Sequence, residues 1–240
     1  MSKYPRVLVG CPTSKHKEYF LDRYVEALKK LDFPGLDFLI VDNSGDDGVY
    51  AKKIIDAGLP AVTVERGANS REAVANSMNY LRRKVLDEGY DYLMVIEQDL
   101  IPPIDIVQRL MKHGKEVCGA IYNIGFVNSK AQPPRPCLFE KYHDNEENAW
   151  KTRNLDPKKG FSYLGTGLRE IHGMGNGCIL IHRSILDKYG FWYMPQDTDK
   201  KRHPDVFFFL RLDNDGIKVF VDTTEMIPHF PKPWEDVIDW

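Results

Sequence analysis

Along the first half of the chain, short continuous apolar runs alternate with apolar residues at helical spacing, the pattern of strand-helix-strand units feeding a mainly parallel sheet. Arg6-Val7-Leu8-Val9-Gly10 predicts a first strand, and Leu21, Tyr24, Val25, Leu28 and Leu31 then predict a helix that Phe33-Pro34-Gly35 stops. Phe38-Leu39-Ile40-Val41 predicts a second strand ending on Asp42-Asn43-Ser44-Gly45, followed by a short helix and a strand at Ala61-Val62-Thr63-Val64. Residues 70–88 predict a long helix with Val74, Met78, Leu81 and Val85 on one face, and Tyr92-Leu93-Met94-Val95-Ile96 predicts a fourth strand running into Glu97-Gln98-Asp99. Pro102-Pro103 suits the first turn of a helix carrying Ile106, Val107, Leu110 and Met111. Val117-Cys118-Gly119-Ala120-Ile121 predicts another strand.

From about 126 to 168 the periodicity dissolves into Pro133, Pro134, Pro136 and a polar stretch from Lys141 to Asn148, which reads as an insertion of irregular strands and loops. Order returns at Gly173-Met174-Gly175-Asn176-Gly177, with a strand at Cys178-Ile179-Leu180-Ile181 and a helix from about Ser184. A further helix is expected over Asp205 to Leu212, and a strand over Lys218-Val219-Phe220-Val221-Asp222 leads to Pro228-His229. The expected architecture is a single α/β, Rossmann-like domain with a mostly parallel central sheet flanked by helices. Residues 1–125 would form a nucleotide-binding half, 126–168 the insertion, and 169–240 a donor-sugar and acceptor half with a tail.

Charge and cysteine content narrow the classes. Lys plus Arg (33) nearly balance Asp plus Glu (35), so no overall basic field points to nucleic acid or anionic lipid. Cys11, Cys118, Cys137 and Cys178 are far apart and form no Cys-x-x-Cys pair, against a structural zinc site; Cys11, Cys118 and Cys178 read as small buried hydrophobes. No apolar stretch approaches the roughly 20 residues that span a bilayer, and the start of the chain reads as lacking a signal peptide, so a reducing, cytoplasmic setting is expected.

Ligands of open α/β sheets bind beyond the carboxyl ends of the strands. Thr13 and Ser14 follow the first predicted strand, Asp42 closes the second, and Glu97 and Asp99 close the fourth. Any one of them fits a turn. Glu97 and Asp99, two residues apart, also suit a hard divalent cation, Mg²⁺ or Mn²⁺, that bridges a diphosphate as a Lewis acid. Trp192, Tyr193, Trp234 and Trp240 are candidates for stacking on sugars or for core and interface packing.

The order of Val7-Leu8-Val9-Gly10-Cys11-Pro12-Thr13, Leu39-Ile40-Val41-Asp42-Asn43-Ser44, Val95-Ile96-Glu97-Gln98-Asp99, and Asp205 to Arg211 ending at His229 resembles the landmarks of GT-A glycosyltransferases, especially the broad family 2, over about 1–125 and 173–229. The resemblance implies that Pro12, Thr13 and Asp42 contact the nucleoside, with Asp42 accepting from the base, and that Arg71 or Asn76 lies near the nucleotide. It implies that Glu97-Gln98-Asp99 stands in place of Asp-x-Asp, with Asp99 the direct metal ligand, Glu97 a ligand or a water-mediated or ribose contact, and Gln98 beside the donor. Gly175, Asn176 and Gly177 would bring backbone amides to the donor sugar, and His229 would complete the coordination of Mn²⁺ or Mg²⁺. Asp205 would serve as general base, although the Glu that precedes this acid in the family is here Pro204.

The implied activity is hexosyl transfer from a UDP- or GDP-sugar to an unidentified acceptor hydroxyl, with inversion. Two other readings compete. A sugar-phosphate nucleotidyltransferase would also need a metal and an acidic strand end, but Cys11-Pro12-Thr13-Ser14-Lys15-His16 lacks the glycine density of its triphosphate loop. A non-catalytic nucleotide-sugar-binding module would account for the altered acidic motif.

Overall fold

The computed structural model describes residues 4–125, 133–146, 149–195 and 202–232. Strand β1 (Val7–Thr13) leads through a 3-10 turn (Lys15–Phe20) into α1 (Leu21–Lys29), then β2 (Leu36–Asp42), α2 (Val49–Asp56), β3 (Ala61–Thr63), α3 (Ser70–Glu88) and β4 (Tyr92–Ile96). Next come α4 (Ile106–Lys112) and β5 (Val117–Ile124), the strands β6 (Arg135–Pro136), β7 (Leu138–Asp144) and β8 (Ala149–Asn154), and α5 (Pro157–Ser162). The remainder comprises β9 (Leu168–Ile171), β10 (Gly173–Met174), β11 (Cys178–His182), α6 (Arg183–Lys188), α7 (Pro204–Asn214) and β12 (Val219–Ile227).

A nine-stranded sheet in the order β3-β2-β1-β4-β11-β5-β12-β9, with β6 on β5, forms the centre. Six of its strands (β1 to β5 and β12) run in one direction, while β6, β9 and β11 oppose them. The mostly parallel α/β sheet expected from the sequence is therefore present, with antiparallel β11 inserted between β4 and β5. The runs Val7–Val9, Leu93–Ile96 and Cys178–Ile181 are each almost wholly buried, as strands covered by helices must be.

Helix α3 shows how the local sequence specifies this packing. Asn69 caps it by accepting from the amides of Arg71 (3.0 Å) and Glu72 (3.1 Å), and Glu72 reaches back to the Ala68 amide at 2.7 Å. Gly89 ends it in the left-handed conformation, with φ of 73°. Its buried Met78, Leu81 and Val85 face the sheet, and a Cβ at Gly10 would lie 2.7 Å from a Leu81 methyl, so that glycine is what lets helix and strand approach. Truncating a core side chain such as Leu81 to Ala would cost about 2–5 kcal/mol.

The insertion is more regular than its sequence implies. β7 pairs with β8 and β10 in a small three-stranded sheet, α5 follows, and β9 joins the central sheet beside β12. Pro157 opens α5 behind Asp156, which accepts from the Lys159 amide at 3.0 Å. Helix α4 begins at Ile106 rather than at Pro102-Pro103, and all four cysteines are buried free thiols, pushed up to about 12 by burial. Among the described residues, no helix is long and apolar enough to cross a membrane.

Candidate functional site

The chain passes from β1 outward to β2 and β3, then returns to place β4 on the other side of β1. Strand order thus reverses between β1 and β4, the point beyond whose carboxyl ends open α/β sheets form their ligand crevice. Glu97, Gln98 and Asp99 follow β4 directly into that crevice. The segment after β12 crosses the same end of the sheet: Phe230 donates its amide to Asp99 O at 2.9 Å, Ile101 donates to Pro228 O at 3.1 Å, and Leu100 bridges to His229. Tyr19 holds the segment from the other side, donating to Phe230 O at 3.0 Å and accepting from the Lys232 amide at 3.1 Å. Phe20 and Phe230 stack at 5.1 Å beneath the Arg23 guanidinium. These contacts set His229 against Asp99.

Glu97, Asp99 and His229 each offer one ligand atom, and the three atoms lie within 4.8 Å of one another. His229 Nδ1 lies 2.6 Å from the Asn123 carbonyl, which can only accept, so Nδ1 carries the proton and Nε2 faces the carboxylates. Nε2 is buried, 3.3 Å from Asp99 Oδ1 but off hydrogen-bond geometry, and has no hydrogen-bond partner. An imidazole nitrogen converging with two carboxylates is, once deprotonated, a donor set suited to Mn²⁺ or Mg²⁺. Burial works against charge on His229, but Asp99 and Glu97 raise its pKa, so a proton and a divalent ion would compete for Nε2.

Lys17, which the sequence reading passed over, stands in the same cluster. Its Nζ is 2.7 Å from Asp99 Oδ1 and 3.4 Å from Glu97 Oε1, with the Lys17 side chain 14% exposed and that of Asp99 3%. Burial opposes both charges. The two carboxylates nevertheless raise the lysine, and Lys17 together with His229 holds the Asp99 carboxyl well below the usual range. The readable signal was position: Lys17 lies at the carboxyl end of β1, on the turn that delivers the chain into the crevice.

The other expected site residues divide by where they point. Thr13 donates its hydroxyl to Gln98 Oε1, and Gln98 Nε2 donates to Lys17 O at 2.8 Å and to the Tyr50 hydroxyl at 2.5 Å. Both are buried, and these hydrogen bonds tie β1, α2 and β4 together. Asp42 is likewise turned inward. It accepts from the Ser44 amide (2.9 Å) and hydroxyl and from the Ala51 amide (3.1 Å), with no exposed surface left to meet a base. Pro12, the residue before the last of β1, is partly exposed and pairs in register with Val41.

Arg71 lies over the Tyr193 ring at 5.7 Å, while Asn76 donates to Glu65 O at 3.3 Å and so ties α3 to its preceding loop. Trp192 stacks on Phe207 at 5.6 Å; Trp234 and Trp240 lie outside the described residues.

Gly175-Asn176-Gly177 joins β10 to β11 for a different reason from the one expected. A Cβ at Gly177 would lie 2.6 Å from Tyr122 Cζ and 3.0 Å from Glu97 Oε2, and one at Gly175 would strike the Tyr122 hydroxyl. The glycines make room for Tyr122, whose hydroxyl accepts from the Gly177 amide at 3.0 Å, while the Gly175 amide goes to Cys137 O at 3.3 Å. The amides of Gly175 and Gly177 are thus used within the fold. Asn176 Oδ1 is buried without a hydrogen-bond partner, as are Asn123 Oδ1 and Arg135 Nε on the paired strands β5 and β6.

Asp205 is the second residue of α7 and accepts from the Val206 amide at 2.8 Å. Desolvation raises its pKa, the charge of His203 opposes that rise, and the charge of Glu97 adds to it. A partly buried carboxylate of raised basicity within the field of the acidic cluster can accept a proton.

No family model matches the chain, and no curated protein matches it in sequence. Its fold is similar to that of the mannosyltransferase PcManGT from Pyrobaculum calidifontis, solved in complex with GDP-Man and Mn²⁺, at 15% identity and a TM-score of 0.60. The alignment takes in 96% of this chain and 59% of that one, so the chain spans well under two thirds of the mannosyltransferase. A mycobacterial protein aligns at 13% identity and a TM-score of 0.55, over 97% of this chain and 70% of its own. The class defined by these comparisons is an α/β protein with a glycosyltransferase-like fold.

Proposed function

We propose that this chain is a glycosyltransferase of the hexosyl-transferring kind, which takes a sugar from a nucleoside-diphosphate donor, a UDP- or GDP-sugar, and passes it to an acceptor hydroxyl with the aid of Mn²⁺ or Mg²⁺. The observation that carries the reading is the convergence of Glu97, Asp99 and the unpartnered Nε2 of His229 at the carboxyl end of β4. The fold around it is similar to that of a mannosyltransferase solved with GDP-Man and Mn²⁺.

When bound by Glu97, Asp99 and His229, the ion would act as a Lewis acid toward the anionic diphosphate leaving group. Asp99 is held ionised and His229 is held with Nε2 inward, so these donors are oriented before any ligand arrives. Thr13, Gln98 and Asp42 fix the strand ends from within the fold. Asp205 is the general base: its carboxylate takes the proton of the acceptor hydroxyl as that oxygen attacks the anomeric carbon, and the glycosidic bond to the diphosphate breaks on the opposite face. A single displacement of this kind inverts the anomeric configuration.

On this reading residues 1–125 hold the nucleotide, 169–240 hold the sugar and the base, and the 126–168 segment shapes the acceptor side of one domain. The four buried free thiols suit a reducing compartment, and we place the activity in the cytoplasm. The test is a thermal-shift panel of UDP-, GDP- and dTDP-sugars with and without Mn²⁺, since a ligand that binds only the folded chain raises its melting temperature. The reading predicts a shift for one base series that grows with Mn²⁺; no shift with any donor at saturating concentration would overturn it.

A further inference from the structure

The acidic cluster already holds a cation of the protein's own. The Lys17 backbone is fixed by the hydrogen bond its amide donates to Ser14 O at 2.9 Å, and its ammonium reaches Asp99 Oδ1 at 2.7 Å, the same oxygen that lies 3.3 Å from His229 Nε2. A divalent ion coordinates carboxylate oxygen at about 2.0–2.6 Å. An ion shared by Asp99 Oδ1 and His229 Nε2 would therefore meet the ammonium of Lys17 at close range, with little water between them to screen the repulsion.

We propose that Lys17 is the resident counter-cation of this site and competes with a divalent ion for Asp99, so that the ion can enter only as the Lys17 ammonium swings away. The inference rests on Glu97, Asp99 and His229 being the ligand set. Counting His229 as neutral, two carboxylates and one ammonium leave one net negative charge. With the ammonium still in place a divalent ion would turn that into one net positive charge; with it swung out, the ion balances the two carboxylates, and an anionic diphosphate can pair with the released ammonium. Lysine suits such an exchange because it carries a compact charge on a flexible four-carbon stem. The released ammonium stays at the carboxyl end of β1, where phosphate oxygens can receive it. Metal and diphosphate are thus coupled through one side chain: each binds better when the other is present, because the phosphate gives Lys17 a second anion to pair with.

The coupling separates this device from a structural ion pair. A purely structural Lys17 would stabilise the fold without opposing the metal. The decisive measurement is a titration of Mn²⁺ alone, followed by the electron paramagnetic resonance signal of the free ion, against the wild type, Lys17→Met, Lys17→Gln and the double variant Lys17→Met/Asp99→Asn. Both single variants are expected to bind Mn²⁺ at least tenfold more tightly than the wild type, and the double variant to lose that gain. Lys17→Gln keeps a donor for Asp99, so it provides the comparison if Lys17→Met does not fold. Adding GDP or UDP should tighten Mn²⁺ binding by a larger factor in the wild type than in the variants, which keep only the direct attraction between ion and diphosphate.

Unchanged or weaker Mn²⁺ affinity in the folded Lys17 variants overturns the proposal, as does a gain that survives Asp99→Asn. Because the first titration contains no nucleotide, the gain can appear even where no nucleoside diphosphate binds; that result would sustain the competition and overturn the glycosyltransferase reading. Nucleotide-dependent binding without any gain would do the reverse.

Discussion

His229 donates Nδ1–H to the Asn123 carbonyl at 2.6 Å, and Nε2 is thereby the nitrogen turned toward Asp99, 3.3 Å away. The tautomer of this one ring is set by a backbone carbonyl on β5, two strands from the acid it faces. Replacing His229 by Ala should weaken Mn²⁺-dependent diphosphate binding by on the order of tenfold, about 1.4 kcal/mol. That loss should be smaller than the one caused by Asp99→Asn, because a neutral ligand attracts a cation less than a carboxylate does. Calorimetry on both variants decides the order; affinity for the bare nucleoside should stay close to that of the wild type.

Asp205→Asn should retain donor binding and lower transfer by on the order of 10²-fold or more, since an amide cannot accept the acceptor's proton. Donor affinity and kcat measured on one preparation separate the two effects. Transfer within a few-fold of the wild-type rate would remove Asp205 as base, and a product retaining the donor's configuration would remove the single displacement.

The pH dependence follows from the same carboxylate. Desolvation raises the Asp205 pKa above its ordinary 3.8. The base is active only when ionised, so kcat should fall as pH drops through a value above that of free aspartate, and Asp205→Asn should remove this acidic limb. A rate that holds steady down to pH values near that of free aspartate would contradict the assignment. The linked effect on folding has the opposite sense. A carboxyl whose folded-state pKa is raised favours the fold below its unfolded pKa, and that contribution is lost as pH rises through the folded value.

Gly177→Ala should destabilise the fold by about 1–3 kcal/mol, because the added methyl meets the Tyr122 ring. A Cβ there lies 2.6 Å from Tyr122 Cζ, and Tyr122 itself packs edge-on to His229 at 5.6 Å. Urea unfolding measures the loss, and a variant as stable as the wild type would mean that the loop does not depend on that close approach.

The frame of the site was legible because its strands are continuous buried runs: Val7–Val9, Leu39–Val41 and Leu93–Ile96 have no solvent face to blur their pattern. The direction of β11 was not, since a buried apolar run such as Cys178–Ile181 reads alike whether it lies parallel or antiparallel to its neighbours. Helix α5 carried a readable start in Asp156-Pro157, hidden among the prolines and polar residues of the insertion. Glu97, Asp99 and His229 came from motif order, and the geometry gathers them. Lys17 was illegible for a physical reason. A lysine in a polar turn after a strand reads as solvated, and its burial depends on Asp99, 82 positions further along the chain.

The inward turn of Asp42 and Gln98 was hidden in the same way. Acids and amides at strand ends look alike whether they face a ligand or their own loop. Only the positions of Ser44, Ala51 and Tyr50 settle which, and those depend on how α2 docks.

Calorimetric titration of GDP and UDP into the wild type and Asp99→Asn, each with and without Mn²⁺, tests the central claim most directly. Asparagine keeps the shape of the side chain but lacks the anionic oxygen that a hard cation requires. The account predicts that Mn²⁺ strengthens nucleoside-diphosphate binding in the wild type and that folded Asp99→Asn protein loses this metal-dependent gain. Undiminished metal-dependent affinity in Asp99→Asn would contradict it.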